Sequence, residues 1–243
     1  MKRRGFIIAV LPLALSIGCG RRNAESPLPQ AKAFGAALVE VSGGKQIAIV
    51  GSPLDQPLIV QVNDAQGAPV AGAAVSLQVN DDAVVTPPAG LTGPDGQLSV
   101  GVALGGMSGH YRVVTTTRDK SGKVIELRSD EIALGYQQNL GRELNETYCS
   151  RCHDSESTAE RVSNHDNLNA KPHAFTEGSF FNTRSDADLS SIITHGGPAL
   201  NKSPEMPPYG ATLHKTDIEA LIAYIRAVSD PPYRLKGLVY AKN

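Results

Sequence analysis

The run Cys149-Ser150-Arg151-Cys152-His153 places two thiols two residues apart, directly before an imidazole. Two thiols at this spacing can each add to a vinyl group on one edge of a haem, and a neutral imidazole is a strong ligand for iron. The string C-x-x-C-H is the signature of covalent haem attachment. The sequence therefore predicts one haem c, held by Cys149 and Cys152, with His153 bound to its iron.

Two other interpretations of the cysteine pair remain open. The pair could be a redox dithiol of the thioredoxin kind or half of a structural zinc site. Zinc would usually need a second cysteine pair or two spaced histidines, but the only other cysteine is Cys19. A redox dithiol should open a helix within a βαβ pattern, which the sequence around Cys149 does not have. The haem interpretation is preferred for these reasons.

Amphipathic helices are predicted downstream of the motif. Residues 185–195 form a short helix with Leu189, Ile192 and Ile193 on one side, and the glycines that follow suit its C-terminal cap. A capping box is predicted at residues 216–219, in which the Thr216 hydroxyl and the Glu219 carboxylate bind amides of the first turn. Each helix has an apolar face to bury, and a flat porphyrin is a large apolar partner.

With these features, residues 136–229 resemble a class I, mono-haem cytochrome c, a small all-α fold. In that family a helix with a glycine eight residues before the first cysteine leads into C-x-x-C-H, and Gly141 stands at that position. The family's M-P-P loop supplies the sixth iron ligand, which the resemblance assigns to Met206. Its C-terminal helix crosses the first one, with an aromatic residue at the position of Tyr224.

One residue at the predicted helix crossing departs from the family pattern. The family often has Phe or Tyr four residues before the first cysteine, whereas this chain has Asn145. Leu144 and Tyr148 are expected to take over the missing contact.

Met206 has competitors as the sixth ligand. It is one of three methionines in the chain and precedes two prolines, although a methionine can also simply fill a gap in a core. A methionine in the sixth position would raise the reduction potential relative to a second histidine. The histidines that could replace it are His165, His173, His195 and His214.

The N-terminus has the features of an export signal. Three residues, Lys2-Arg3-Arg4, precede an apolar run that is too short for a stable membrane anchor. The run ends at Cys19 in a sequence that resembles a bacterial lipoprotein box, which implies cleavage after residue 18 and lipidation of Cys19. Residues 19–35 are then a lipidated tether. The alternative is an ordinary signal peptide in which the cysteine is incidental.

Residues 36–135 are rich in Val, Ala, Gly and Thr. Within strand-length runs of this region, apolar and polar residues alternate with a period of two. Predicted strands cover residues 58–62, 74–79, 98–104 and 111–117, with turn residues between them. This spacing predicts an antiparallel β-sandwich. The run 62–72, with residues 92–96, resembles the turns of bacterial Ig-like domains of the invasin and intimin kind.

The predicted chain is therefore multidomain: an all-β sandwich at 36–135, an all-α cytochrome c domain at 136–230 and a C-terminal tail at 231–243. Its 23 basic and 24 acidic residues do not suggest nucleic-acid binding. The predicted function is single-electron transfer between redox partner proteins, not enzyme catalysis, in the bacterial cell envelope. The protein would face the periplasm or the cell surface through its lipid anchor, with the outer membrane favoured.

Two other function classes stay open. A haem enzyme, or a gas or redox sensor, would have an open sixth position on the iron. The second alternative is an adhesion or assembly module that carries a haem domain.

Overall fold

The computed structural model describes residues 29–158 and 161–234. The predicted signal peptide and the lipidation site at Cys19 lie outside these residues. Among the described helices, none combines the length and the apolar character needed to cross a membrane.

The strands of the described chain lie between residues 37 and 134. They form one sheet with the order β1-β3-β7-β5 and a second sheet with the order β2-β9-β8-β4-β6. The strands are β1 (Ala37–Ser42), β2 (Ile47–Ile49), β3 (Leu58–Asn63), β4 (Ala74–Val79), β5 (Val84–Thr86), β6 (Ala89–Leu91), β7 (Gln97–Ala103), β8 (Gly109–Arg118) and β9 (Val124–Leu134).

Alternation along the strands builds the core between the sheets. Leu58, Val60 and Val62 of β3 are fully buried, while the residues between them are half-exposed. Successive side chains of a strand point to opposite faces, so one face of β3 lies against the other sheet. On β8, Tyr111 and Val113 are buried in the same way.

The β-sandwich departs from the antiparallel prediction at one strand pair, which is parallel. β2 runs parallel to β9, with Ile47 opposite Ile132. β1 pairs with β3 in the first sheet, so the chain crosses between sheets after β1 instead of returning through a hairpin. Gly43 starts this crossing at φ +85°, where a Cβ would lie 2.0 Å from the Pro57 carbonyl oxygen. Only glycine fits that position.

Helices follow the last strand. They are α1 (Tyr136–Leu144), α2 (Ser150–His153), α3 (Gly178–Phe181), α4 (Asp186–His195) and α5 (Lys215–Val228). A π-helical turn, Asn145–Cys149, joins α1 to α2, and 3₁₀ turns cover His165–Asn167 and Gly197–Leu200.

The helix at α4 confirms its prediction. The Ser185 hydroxyl accepts a hydrogen bond from the Asp188 amide at 3.1 Å, and Gly196 ends the helix at φ +81°. The predicted capping box at Thr216 and Glu219 is wrong, because α5 begins at Lys215. Its first turn is instead closed by Asp217, whose carboxylate accepts from the His214 amide at 2.8 Å.

Helices α1 and α5 cross at Gly141. A Cβ at Gly141 would lie 2.0 Å from the carbonyl oxygen of Ala220 and 2.7 Å from the Cβ of Tyr224. The missing side chain therefore allows the two backbones to touch. Near the Asn145 departure, Leu144 packs against the helical core as expected. Tyr148 does not, since it is 36% exposed and lies edge-on against Tyr209.

The sandwich and the helices share a third apolar cluster. It joins Leu134, the last residue of β9, to Tyr224 and Val228 of α5, and all three side chains are buried. Phe175 packs against this cluster from the loop before α3. The last strand and the last described helix are thus in direct contact.

Candidate haem site

The two cysteines of the motif are held by the α1–α2 unit. Cys149 ends the π turn, and Cys152 and His153 lie in α2. Arg161 fixes the end of α2, where it donates to the Ser150 carbonyl oxygen at 3.1 Å and pairs with the Asp154 carboxylate at 2.6 Å. π turns often occur at functional sites, and the last residue of this one, Cys149, lines the cavity.

His153 has a defined orientation. Its Nδ1 lies 2.8 Å from the carbonyl oxygen of His173. A carbonyl can only accept, so Nδ1 carries the proton and Nε2 keeps its lone pair for a metal. Burial lowers the pKa of His153, which favours the neutral imidazole. The ring also lies against Phe175, with ring centroids 4.7 Å apart.

The His173 carbonyl belongs to a braced turn. The Glu177 carboxylate binds the His173 ring nitrogen at 2.8 Å and the Ala174 amide at 2.9 Å. The His173 ring stacks on Phe180 with centroids 3.6 Å apart. These contacts hold the backbone that orients His153.

Met206 lies on a loop fixed to the end of α4. Its carbonyl oxygen accepts from the Gly197 amide at 3.0 Å, and a Cβ at Gly196 would lie 2.8 Å from the same oxygen. Further along the loop, the Tyr209 amide donates to the Ile193 carbonyl oxygen at 2.9 Å. The Tyr209 hydroxyl donates to the Tyr148 carbonyl oxygen, also at 2.9 Å. The M-P-P loop is therefore held both by α4 and by the π turn that ends at Cys149.

All four predicted site residues line one cavity of about 300 Å³. Its volume is at the lower end of the range for small-molecule and cofactor sites. The walls are mainly apolar and come from the π turn, from helices α2 to α5, from the 3₁₀ turn Gly197–Leu200 and from the loops between them. Lining residues with apolar side chains include Leu168, Phe175, Phe181, Leu189, Ile192, Ile193, Leu200, Pro207, Leu221 and Ile225.

This set of residues fits a haem. Two free thiols and an imidazole with an available nitrogen line an apolar cleft from residues 149–153, and a thioether lines it from the loop that carries Met206. Burial raises the pKa of Cys149 to about 12, so that thiol keeps its proton. Addition of a thiol to a vinyl group transfers that hydrogen as well as the sulfur. The role of Cys149 and Cys152 as attachment sites, and that of His153 and Met206 as iron ligands, stay predictions.

The competing histidines are placed differently. His165 pairs with the Asp166 carboxylate at 3.0 Å, and His195 and His214 lie exposed at helix ends. These three do not line the cavity. His173 does line it, but its ring is stacked on Phe180 and its carbonyl serves His153. The geometry therefore favours Met206 over these histidines.

The sequence could not identify the groups that support the ligands. The acceptor for His153 is a backbone carbonyl twenty residues away, and a carbonyl has no residue-type signature. Phe175 and Phe180 were also missed, although the cluster Phe175, Phe180 and Phe181 contains three of the five phenylalanines of the chain. That concentration of aromatic residues close after the motif was the available signal.

Residues 137–225 match the family model described as cytochrome C oxidase, cbb3-type, subunit III. The predicted resemblance of this region to a cytochrome c domain is confirmed by the match. No curated protein matches the chain.

Bacterial adhesins are among the solved structures that match part of this chain. The D00-D0 domain of intimin is 16% identical, covers 43% of this chain and 50% of its own, and gives a TM-score of 0.32. The Yersinia pseudotuberculosis adhesin InvE is 13% identical, with 40% and 32% covered and a TM-score of 0.32. Invasin, a bacterial integrin-binding protein, is 18% identical, with 40% and 19% covered and a TM-score of 0.30. The chain spans about half the length of the intimin structures it matches.

Proposed function

We propose that this chain is an electron-transfer protein whose domain at 136–230, an all-α cytochrome c fold, binds one haem c covalently. The observation that carries the proposal is the convergence of Cys149, Cys152, His153 and Met206 on one apolar cavity. The match of residues 137–225 to a cytochrome family model supports it.

The four residues would fill three roles. Cys149 and Cys152 would anchor the haem by thioether bonds, so that its retention would not depend on binding affinity. His153 offers Nε2 to the iron because the His173 carbonyl holds Nδ1–H. Met206 offers its sulfur from the loop fixed to α4. The haem supplies one-electron chemistry when bound.

A carrier fits this site better than an enzyme does. With haem bound, His153 and Met206 would both be available as iron ligands, so a substrate or gas would have to displace Met206. One-electron transfer would then be the natural activity of the group within these apolar walls. The rival function, a haem enzyme or a gas or redox sensor, needs a sixth position that opens.

We assign the sandwich at 36–135 the role of spacer or docking module. Its contact with α5 through Leu134 keeps it against the haem domain. The remaining candidate is an adhesion or assembly module, in which the sandwich binds a partner itself. Val39 and Val41 are exposed on β1 and provide a place to test this idea by charge substitution.

The proposed location is the bacterial cell envelope. Residues 1–18 would direct export, and lipidated Cys19 would anchor the protein to a membrane facing the periplasm or the cell surface, with the outer membrane favoured. Export is consistent with covalent haem attachment, which takes place outside the bacterial cytoplasm. The proposed partners are redox proteins that donate and accept one electron, and nucleic acid is not among them.

Met206→Ala tests the proposed carrier function. The haem-loaded variant is expected to have a lower reduction potential than the unchanged chain and to bind added ligands such as carbon monoxide more readily. Met107→Ala is the matched control, because Met107 is 59% exposed on the sandwich. An unchanged potential and unchanged ligand binding in Met206→Ala would favour the enzyme or sensor.

A further inference from the structure

Glu205, the residue before Met206, links two distant stretches of the cavity lining. Its Oε1 accepts from the Asn169 side-chain amide at 2.9 Å. Its Oε2 accepts from the backbone amides of Asn169 at 3.2 Å and Ala170 at 3.3 Å. Asn169 is 36 residues away in the sequence, so the carboxylate joins the loop after α2 to the loop that carries Met206.

On its own side, Glu205 is tied to Met206 through Ser203. The Ser203 hydroxyl lies 3.2 Å from Oε2 and also accepts from the Glu205 amide at 3.2 Å. The Ser203 carbonyl oxygen in turn accepts from the Met206 amide at 3.4 Å. The carboxylate, Ser203 and the Met206 backbone are therefore linked in one short hydrogen-bonded unit.

Besides the bonds that Tyr209 makes to Ile193 and Tyr148, two anchors hold the loop close to Met206 itself. One is the bond from Gly197 to the Met206 carbonyl oxygen on the α4 side. The other is the Glu205 carboxylate on the side of Asn169 and Ala170. Hydrogen bonds to an ionised acceptor are about twice as strong as neutral ones. The second anchor is therefore well suited to keep the loop closed over the cavity.

We propose that Glu205 is a positioning residue for the sixth ligand. Its bonds to the amides of Asn169 and Ala170 hold Met206 over the cavity, and so decide whether Met206 or an outside molecule occupies the sixth position. This inference rests on the proposed function, since it requires Met206 to bind iron.

The test compares Glu205→Ala and Glu205→Gln in the haem-loaded chain. Methionine sulfur bound to ferric haem gives a weak deep-red absorption band. That band is expected to weaken in Glu205→Ala, and carbon monoxide should bind the reduced protein about tenfold faster or more, as the loss of charged hydrogen bonds implies. Glu205→Gln is expected to lie between, because its amide oxygen can still accept from Asn169. Glu219→Ala is the control, since Glu219 lies on the exposed side of α5.

Two further measurements separate positioning from general loss of structure. The Gly197 amide, which donates to Met206, should exchange hydrogen faster in Glu205→Ala, while the far-ultraviolet circular dichroism stays unchanged. Asn169→Ala removes one donor and should have a smaller effect. In the Glu205→Ala background that effect should disappear, because the two side chains act through each other.

Glu205→Ala with an unchanged deep-red band, carbon monoxide rate and Gly197 exchange would overturn this inference and leave the proposed function standing. A deep-red band missing from the unchanged chain would overturn both. If Glu205→Ala does not fold, Glu205→Gln decides by the same three measurements.

Discussion

Glu131 is a carboxyl group enclosed within the sandwich. Its side chain is fully buried on β9, where Oε2 accepts from the Gln46 amide at 2.7 Å and Oε1 has no hydrogen-bond partner in the described residues. Burial, with Glu40 and Asp130 nearby, raises its pKa to about 7. At neutral pH the folded protein therefore holds this group partly protonated.

This carboxyl group should make the stability of the protein depend on pH. Because the pKa of Glu131 is about 7 in the folded chain and 4.5 as the ordinary value, its contribution is complete below pH 4.5 and is lost as pH rises through about 7. The unfolding free energy in urea should fall by roughly 3 kcal/mol as the pH rises from about 4.5 to just above 7, and ionisation of Glu131 should cause no further fall at higher pH. Glu131→Gln should remove this slope, and exposed Glu126→Gln should keep it. A slope that survives in Glu131→Gln would contradict the assignment.

Residue types alone predict only part of the site. Cys149, His153 and Met206 belong to short local strings whose chemistry depends on residue type and spacing. In contrast, the His173 backbone carbonyl binds the His153 ring, and the Glu205 carboxylate binds the Asn169 backbone amide. In both cases the two partners lie far apart in the sequence. Such partners become visible only when the fold brings the segments together.

The crossing of α1 and α5 is the main helix contact of the haem domain. Gly141 is the point of closest approach, against the Ala220 carbonyl and the Tyr224 Cβ. Alanine normally favours a helix over glycine by about 1 kcal/mol. Here the space for a methyl group is already occupied by backbone, so steric overlap outweighs helix propensity.

Gly141→Ala is therefore expected to destabilise the helical domain by about 1–3 kcal/mol, the usual range for overpacking. Urea unfolding followed by the helical circular dichroism measures this change. Gln137→Ala, at an exposed position of α1, is the control and should stay within about 0.5 kcal/mol of the unchanged chain. A stabilised Gly141→Ala would show that the helices do not meet there.

The elements that the sequence predicted have long periodic patterns. β3, β4, β7 and β8 contain six residues or more, and α4 has both a serine cap and a terminal glycine. β2, β5 and β6 have three residues each, which is too few to show alternation. β1 and β9 were also not predicted, although they contain six and eleven residues. The predicted start of α5 was wrong because the sequence offers two residues, Thr216 and Asp217, that are able to close a first turn. The structure uses Asp217.

On the scale of the whole molecule, the sandwich is packed against the haem domain through Leu134, Tyr224 and Val228. Phe175 contacts this cluster and also the ring of His153. The sandwich therefore supports the side of the cavity on which His153 lies. The sequence pattern of the sandwich or of the helical domain, taken alone, does not predict this contact. The contact joins the end of one predicted domain to the last described helix of the other.

Leu134→Ala tests this support. Leu134 is fully buried, so its truncation should cost about 2–5 kcal/mol of unfolding free energy. In the unchanged chain, unfolding followed by haem absorbance and by strand circular dichroism should coincide, and in the variant the two curves should separate. Val124→Ala, at an exposed position of β9, is the control. Separate curves in the unchanged chain would contradict the coupling.

The most direct test of the account is the mass of the denatured chain after production in a bacterial host that attaches haem. We expect one added haem mass that survives denaturation, located on the peptide that contains Cys149 and Cys152. The added mass should be absent when both cysteines are replaced by serine. An unmodified chain, or a haem that stays attached in the double variant, would contradict covalent attachment at this motif.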